Sequence, residues 1–118
     1  MLLGLSTSSR PPWTVLHVRG EIDMASAPQL RQEVVRLVDQ GESRLVLDLS
    51  EVAFCDSTGI GVMVAAVKRA RTAGGDVRLV CLNERLLEMF SITRLDRVFD
   101  LFDLVDDAVN GAVARESR

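Results

Sequence analysis

Tyrosine is absent from this chain of 118 residues, tryptophan and histidine occur once each, and cysteine occurs twice. Each scarcity removes a class of function. A lone histidine, His17, cannot form the paired ligand set of a transition-metal site, and Cys55 and Cys81 make no Cys-x-x-Cys motif. No regular carboxylate loop is present either, so no metal is expected. Trp13 and four phenylalanines offer little to sandwich a flat cofactor ring, and no cofactor is expected. Positive charge is not in excess: 14 Lys and Arg face 17 Asp and Glu, a net charge of -3. Nucleic acid, which selects a basic stripe, is therefore not an expected partner. No apolar run reaches the roughly 20 residues of a membrane-spanning helix, so no membrane insertion is expected. The first nine residues lack the basic start of a signal peptide. The cysteines then read as reduced core residues of a cytoplasmic chain.

What remains is ordinary for a globular protein: 47% hydrophobic and 26% charged residues, enough for one packed core. A single domain over residues 1–118 is expected, with its core at roughly 13–114. Its organising stretch runs from Arg44 to Arg71. Leu45, Val46, Leu47 and Leu49 form a nearly continuous apolar run, which suits a strand covered on both faces of a parallel sheet. Ile60 to Arg71 has no proline and reads as a helix. Between them, Asp56-Ser57-Thr58-Gly59 is a sharp polar break, and Ser57 is expected at or beside the helix start as its N-cap.

Along the chain, residues 2–7 suggest a first strand and Arg10-Pro11-Pro12 a turn. Trp13 to Arg19 alternates, with Trp13, Val15, His17 and Arg19 on one face. The two strands suggest an antiparallel hairpin, after which Gly20 to Met24 leaves the sheet. Ser26-Ala27-Pro28-Gln29 reads as a capping box before a helix carrying Leu30, Val34, Leu37 and Val38 on one face, with Gly41 ending it. Gly74-Gly75 ends the following helix, and residues 76–81 return as a strand. Asn83 caps a short helix with Leu86, Leu87 and Phe90. Residues 96–101 hold a last strand, and Asp103 to Asp106 opens a C-terminal helix before a frayed tail at 115–118. Strands alternating with helices imply parallel β-α-β units, with the helices mostly on one face.

Enzyme chemistry has little support in these residues. A nucleophilic Ser57 needs a base, and the one histidine sits far away on an early strand, expected there as a partly exposed strand residue. Gly59-Ile60-Gly61 is a fragment of a dinucleotide fingerprint without its third glycine or acidic ribose ligand, and no phosphate-binding lysine follows. Non-enzymatic binding is the expectation. On the helix after the motif, Ile60, Met63, Val64 and Val67 make a core stripe. Val62, Ala65, Ala66 and Arg69 then face outward, which suits either a partner or a neighbouring helix.

Phe54-Cys55-Asp56-Ser57-Thr58-Gly59-Ile60-Gly61 resembles the signature of the STAS domains, the anti-sigma factor antagonists of bacteria. Gly20-Glu21-Ile22-Asp23, Gly74-Gly75 before a strand, and Thr93-Arg94-Leu95-Asp96-Arg97-Val98-Phe99 are similar to further family segments in the same order. The resemblance implies a mixed, mostly parallel α/β sheet with an antiparallel N-terminal hairpin and about four helices. It also implies an anti-sigma factor with serine kinase activity as partner, and a serine phosphatase that resets the system. Ser57 matches the phosphorylated serine of that family, with Thr58 as the alternative. The contact surface it implies comprises Glu21, Asp23 and Met24 with Asp56, Ser57, Thr58, Gly59, Ile60, Val62, Ala66 and Arg69. A monomer or weak dimer is expected. Two other readings stand beside it. One is a STAS subunit serving as adaptor in a lipid-transport complex. The other is a flavodoxin-like carrier using the hydroxyl-rich loop for a flavin phosphate.

Overall fold

A strand without a polar face needs cover on both sides, and Arg44–Cys55 has it: Leu45, Val46, Leu47 and Leu49 are completely buried. The computed structural model describes residues 3–111 and places this strand, β3, at the centre of a five-stranded sheet. The strands lie in chain order, β1 (Gly4–Arg10), β2 (Trp13–Ile22), β3, β4 (Asp76–Val80) and β5 (Asp100–Phe102). β1 and β2 form the expected antiparallel hairpin, and β2 to β5 are parallel. Right-handed crossovers between successive parallel neighbours return on one side of a sheet. Accordingly α1 (Ala27–Asp39), α2 (Ser57–Thr72) and α3 (Glu84–Ile92) share one core with Leu16, Val18, Leu45, Leu47, Leu49 and Leu79. The fourth helix, α4 (Val105–Val109), covers the other face. There Ala108 meets Trp13, Val15, Val46, Val80 and Phe102. The Arg78 guanidinium stacks 4.3 Å above Trp13, 5.5 Å from Phe102, and donates to the Ala108 carbonyl, tying α4 to the sheet.

Several boundaries differ from the sequence reading for identifiable reasons. β1 extends to Arg10, since pairing with β2 supports Ser-Thr-Ser-Ser in a strand despite its polarity. Leu3 already belongs to the core, so the packed unit begins before residue 13. Residue 2, residues 112–114 and the tail at 115–118 lie outside the described residues. Gly20 and Glu21 do not leave the sheet; they pair with Val52 and Phe54, across register shifts in which β3 carries the extra residues. Ser26 stands at the N-cap position of α1 but makes no side-chain cap there. Its hydroxyl donates to the Glu21 carbonyl at 2.7 Å instead. Gln29, rather than closing a capping box, exchanges hydrogen bonds with the Leu3 backbone at 3.0 and 3.2 Å and pins the start of the chain to α1. The last strand shrinks to Asp100–Phe102, preceded by a 3-10 turn at Leu95–Arg97 that is entered through a left-handed Arg94. α4 starts at Val105 with Leu104, not Asp103, at the N-cap position, and the leucine side chain offers no cap. Asn83 does cap α3, accepting from the Leu86 amide at 3.1 Å.

Candidate functional site

The C-terminal ends of β2 and β3 are joined by a hydrogen bond from the Asp56 amide to the Ile22 carbonyl at 3.0 Å, and the two following loops meet there. α2 begins directly at this junction, and its first turn is drawn close to the strands. A Cβ on Gly59 would lie 2.5 Å from Cys55 Sγ and 2.6 Å from Ile22 Cγ2, so only glycine allows this approach. Burial of Cys55 beneath the turn, with Asp56 and Cys81 adding negative charge, pushes its thiol up to about 12. Cys55 and Cys81 are buried thiols not joined in a disulfide, and Cys55 is held protonated and unreactive.

Asp56, not Ser57, is the N-cap of α2. Its carboxylate accepts from the Thr58 amide at 2.9 Å, the Gly59 amide at 3.3 Å and the Thr58 hydroxyl. The Thr58 hydroxyl bond is the strongest influence holding this carboxyl below the usual range. Partial desolvation opposes it, and the Gly59, Thr58 and Met24 amides reinforce it. Both residues suit an N-cap, so sequence alone did not separate them. The consequence lies at Ser57, the first residue of the helix. Its side chain is exposed, and among the described residues its hydroxyl has no hydrogen-bond partner. Of two adjacent hydroxyls, one is bound and one is free.

The loop after β2 is folded tightly against itself. Asp23 Oδ1 accepts from the amides of Ala25 at 2.9 Å and Ser26 at 3.0 Å, and the Asp23 amide donates to Ser26 Oγ at 3.0 Å. This turn thrusts Met24 outward, 76% exposed. Glu21 is exposed and stands opposite Phe54 in the β2–β3 register. Phe54 is itself 51% exposed. In the sequence Phe54 stands out only as part of the motif, an aromatic just before the polar break. Of the residues expected at the contact surface, Glu21, Met24, Ser57, Thr58 and Arg69 are exposed, and Asp23, Asp56 and Val62 are half-buried. Gly59, Ile60 and Ala66 are buried and support that surface from beneath. Ala66, expected to face outward, is covered because α1 packs there. Val62, Ala65, Ala66 and Arg69 line a seam with Val34, Val35 and Val38.

This geometry does not suit a flavin site of the doubly wound kind. Such sites lie where strand order reverses and helices change faces. The parallel strands here run β2-β3-β4-β5 without reversal, and the first turn of α2 gives its Thr58 and Gly59 amides to Asp56.

The STAS domain family model matches residues 5–108. An anti-sigma-B factor antagonist of Bacillus subtilis is 42% identical over 86 residues, covering 73% of this chain and 78% of that protein. One from Listeria monocytogenes is 37% identical over 97 residues, covering 81% and 83%. A crystal structure of an anti-sigma factor antagonist from Mycobacterium paratuberculosis superposes with a TM-score of 0.85 at 29% identity, covering 93% of each chain. With its motif, sheet order and relatives in agreement, this chain belongs to the STAS domain family.

Proposed function

We infer that this protein is an anti-sigma factor antagonist whose binding is switched by phosphorylation of Ser57. Unmodified, it binds an anti-sigma factor that is also a serine kinase and so frees a sigma factor for transcription. Phosphorylated, it lets the anti-sigma factor go, and a serine phosphatase restores the binding form. The relatives' names support the antagonist role. The observation that carries the choice of residue is the contrast between hydroxyls: Ser57 is exposed and unengaged, whereas Thr58 donates to Asp56.

The electrostatics follow from the cap. A phosphoserine adds roughly -1.5 to -2 charges at neutral pH. A helix N-terminus ordinarily welcomes an anion through free amides. Here the Thr58 and Gly59 amides already serve Asp56, so a phosphate on Ser57 would have to share or displace that carboxylate. It therefore stays directed outward, beside a like charge, on the surface that Met24, Phe54 and Glu21 share. A partner closing over this surface must desolvate the phosphate without a paired cation, which costs several kcal/mol, and each ~1.4 kcal/mol is tenfold in affinity. The fold is spared while the interface fails. Ser57→Asp should accordingly bind the anti-sigma factor much more weakly than wild type, and Ser57→Ala should bind it constitutively. Wild-type affinity in Ser57→Asp would remove this mechanism.

A further inference from the structure

Three side chains on the sheet face away from α1, α2 and α3 form an array that partner binding leaves unused. Ser8 lies on β1, His17 on β2 and Asp48 on β3. The registers bring them together: Ser6 stands opposite His17 and Ser8 opposite Val15, so Ser8 is diagonal to His17, and His17 pairs directly with Asp48. Ser8 Oγ is 2.9 Å from His17 Nε2, and His17 Nδ1 is 2.8 Å from Asp48 Oδ2. The other Asp48 oxygen accepts from the Ser50 amide at 3.1 Å and the Ser50 hydroxyl at 2.7 Å, which fixes the carboxylate's orientation.

Proton positions follow from donor and acceptor capacity. Burial works to raise the Asp48 carboxyl, but hydrogen bonds from Ser50 and His17 outweigh it and hold the group below its usual range. An ionised carboxylate only accepts, so the proton between it and the imidazole resides on Nδ1. In the neutral ring Nε2 is then the acceptor and Ser8 Oγ–H the donor. Nucleophile, base and orienting acid stand in the order that hydroxyl activation requires, and such an order is recognised by geometry and not by sequence position. Asp48 is sheltered at 13% side-chain exposure, His17 is 40% exposed, and Ser8 is open to solvent. β1 is an edge strand, so Ser8 lies at the rim of the sheet.

We propose that Ser8 is an activated nucleophile and a site of acylation by activated carboxylic esters, with His17 as its base and Asp48 as the positioning residue. Ser8 Oγ attacks the ester carbonyl carbon while its proton passes to His17 Nε2. Collapse of the tetrahedral species breaks the bond to the aryloxide, which leaves with the proton from His17, so the products are an O-acyl Ser8 and a phenol. The open face selects no particular acyl chain, and small activated esters suit it.

The test is treatment of the full chain with p-nitrophenyl acetate, followed by peptide mapping. Ser6 and Ser9 on the same strand are internal controls. Ser8 should be acetylated about 100-fold faster than either, the lower end of general-base assistance. His17→Gln should reduce Ser8 to the rate of its neighbours. Asp48→Asn should slow it at least tenfold and shift the 15N signals of His17 away from the Nδ1–H tautomer, a change that a merely structural role would not produce. Equal acetylation of Ser6, Ser8 and Ser9 in wild type would overturn the proposal, whatever the variants do to folding. So would an unchanged rate in His17→Gln.

Discussion

Gly59 and Gly61 sit two residues apart in the first turns of α2, yet alanine should act in opposite directions at them. An alanine Cβ at position 59 would lie 2.5 Å from Cys55 Sγ and 2.6 Å from Ile22 Cγ2, both on buried side chains that cannot swing aside. Over-packing of this kind costs about 1–3 kcal/mol. Replacing glycine in a helix returns up to ~1 kcal/mol, and less in the first turn. The net loss is therefore about 1–2 kcal/mol. At position 61 nothing lies within 4 Å of the added methyl, so only the gain remains, about 0.5–1 kcal/mol. Urea denaturation separates the two: with m of about 1–3 kcal/mol/M, Gly59→Ala lowers the midpoint by roughly 0.5–1 M and Gly61→Ala raises it by a few tenths. Adding Cys55→Ala to Gly59→Ala should recover part of the loss, with a coupling of about 0.5 kcal/mol or more, because the nearest colliding atom is gone. A Gly59→Ala protein as stable as Gly61→Ala would refute the close approach of α2 to the ends of β2 and β3, and with it the reason Ser57 stands where it does.

Three further outcomes follow from the fold and site. Backbone amides from Leu45 to Leu49 should exchange slowest with deuterated solvent, since β3 is central and covered on both faces; faster exchange there than in β1 would contradict the strand order. Met24→Lys and Phe54→Glu should weaken anti-sigma factor binding while leaving the unfolding free energy within about 0.5 kcal/mol of wild type, since both side chains are largely exposed. Unaltered binding in both would move the interface elsewhere. The third concerns acid. Asp56 is depressed in the folded state, so its stabilisation is fully present above the ordinary carboxylate range and is lost as pH falls through the folded value. The stability gap between wild type and Asp56→Ala should stay constant around neutral pH and narrow in acid, and a gap that widens in acid would show the sign to be wrong.

The parts of this protein legible in its sequence are those fixed by local pattern. Continuous apolar character foretold β3 as a doubly covered strand, and alternation foretold which residues of β2 face each side. Asn83 could be read as a cap because only one good capping residue precedes that helix. Where two candidates stood side by side, as with Asp56 and Ser57, choice depended on a rotamer and on the Ile22 carbonyl that holds the Asp56 amide. The free hydroxyl at Ser57 was thus foretold in place but not in state. Pairings across long separations were illegible for a different reason. Gln29 with Leu3 joins a helix to the chain just ahead of β1, and Ser8 with His17 and Asp48 depends on the registers of β1 on β2 and of β2 on β3. The polar β1 is a strand because of its neighbour more than because of its composition.

The proposed switch is one hydroxyl of the pair in the first turn of α2. Incubation of the full chain with its cognate anti-sigma kinase and ATP, followed by site-resolved mass spectrometry, tests it most directly. A single phosphate on Ser57, absent in Ser57→Ala and undiminished in Thr58→Ala, is the predicted result. Phosphate on Thr58 in wild type, or none on either residue, would contradict it.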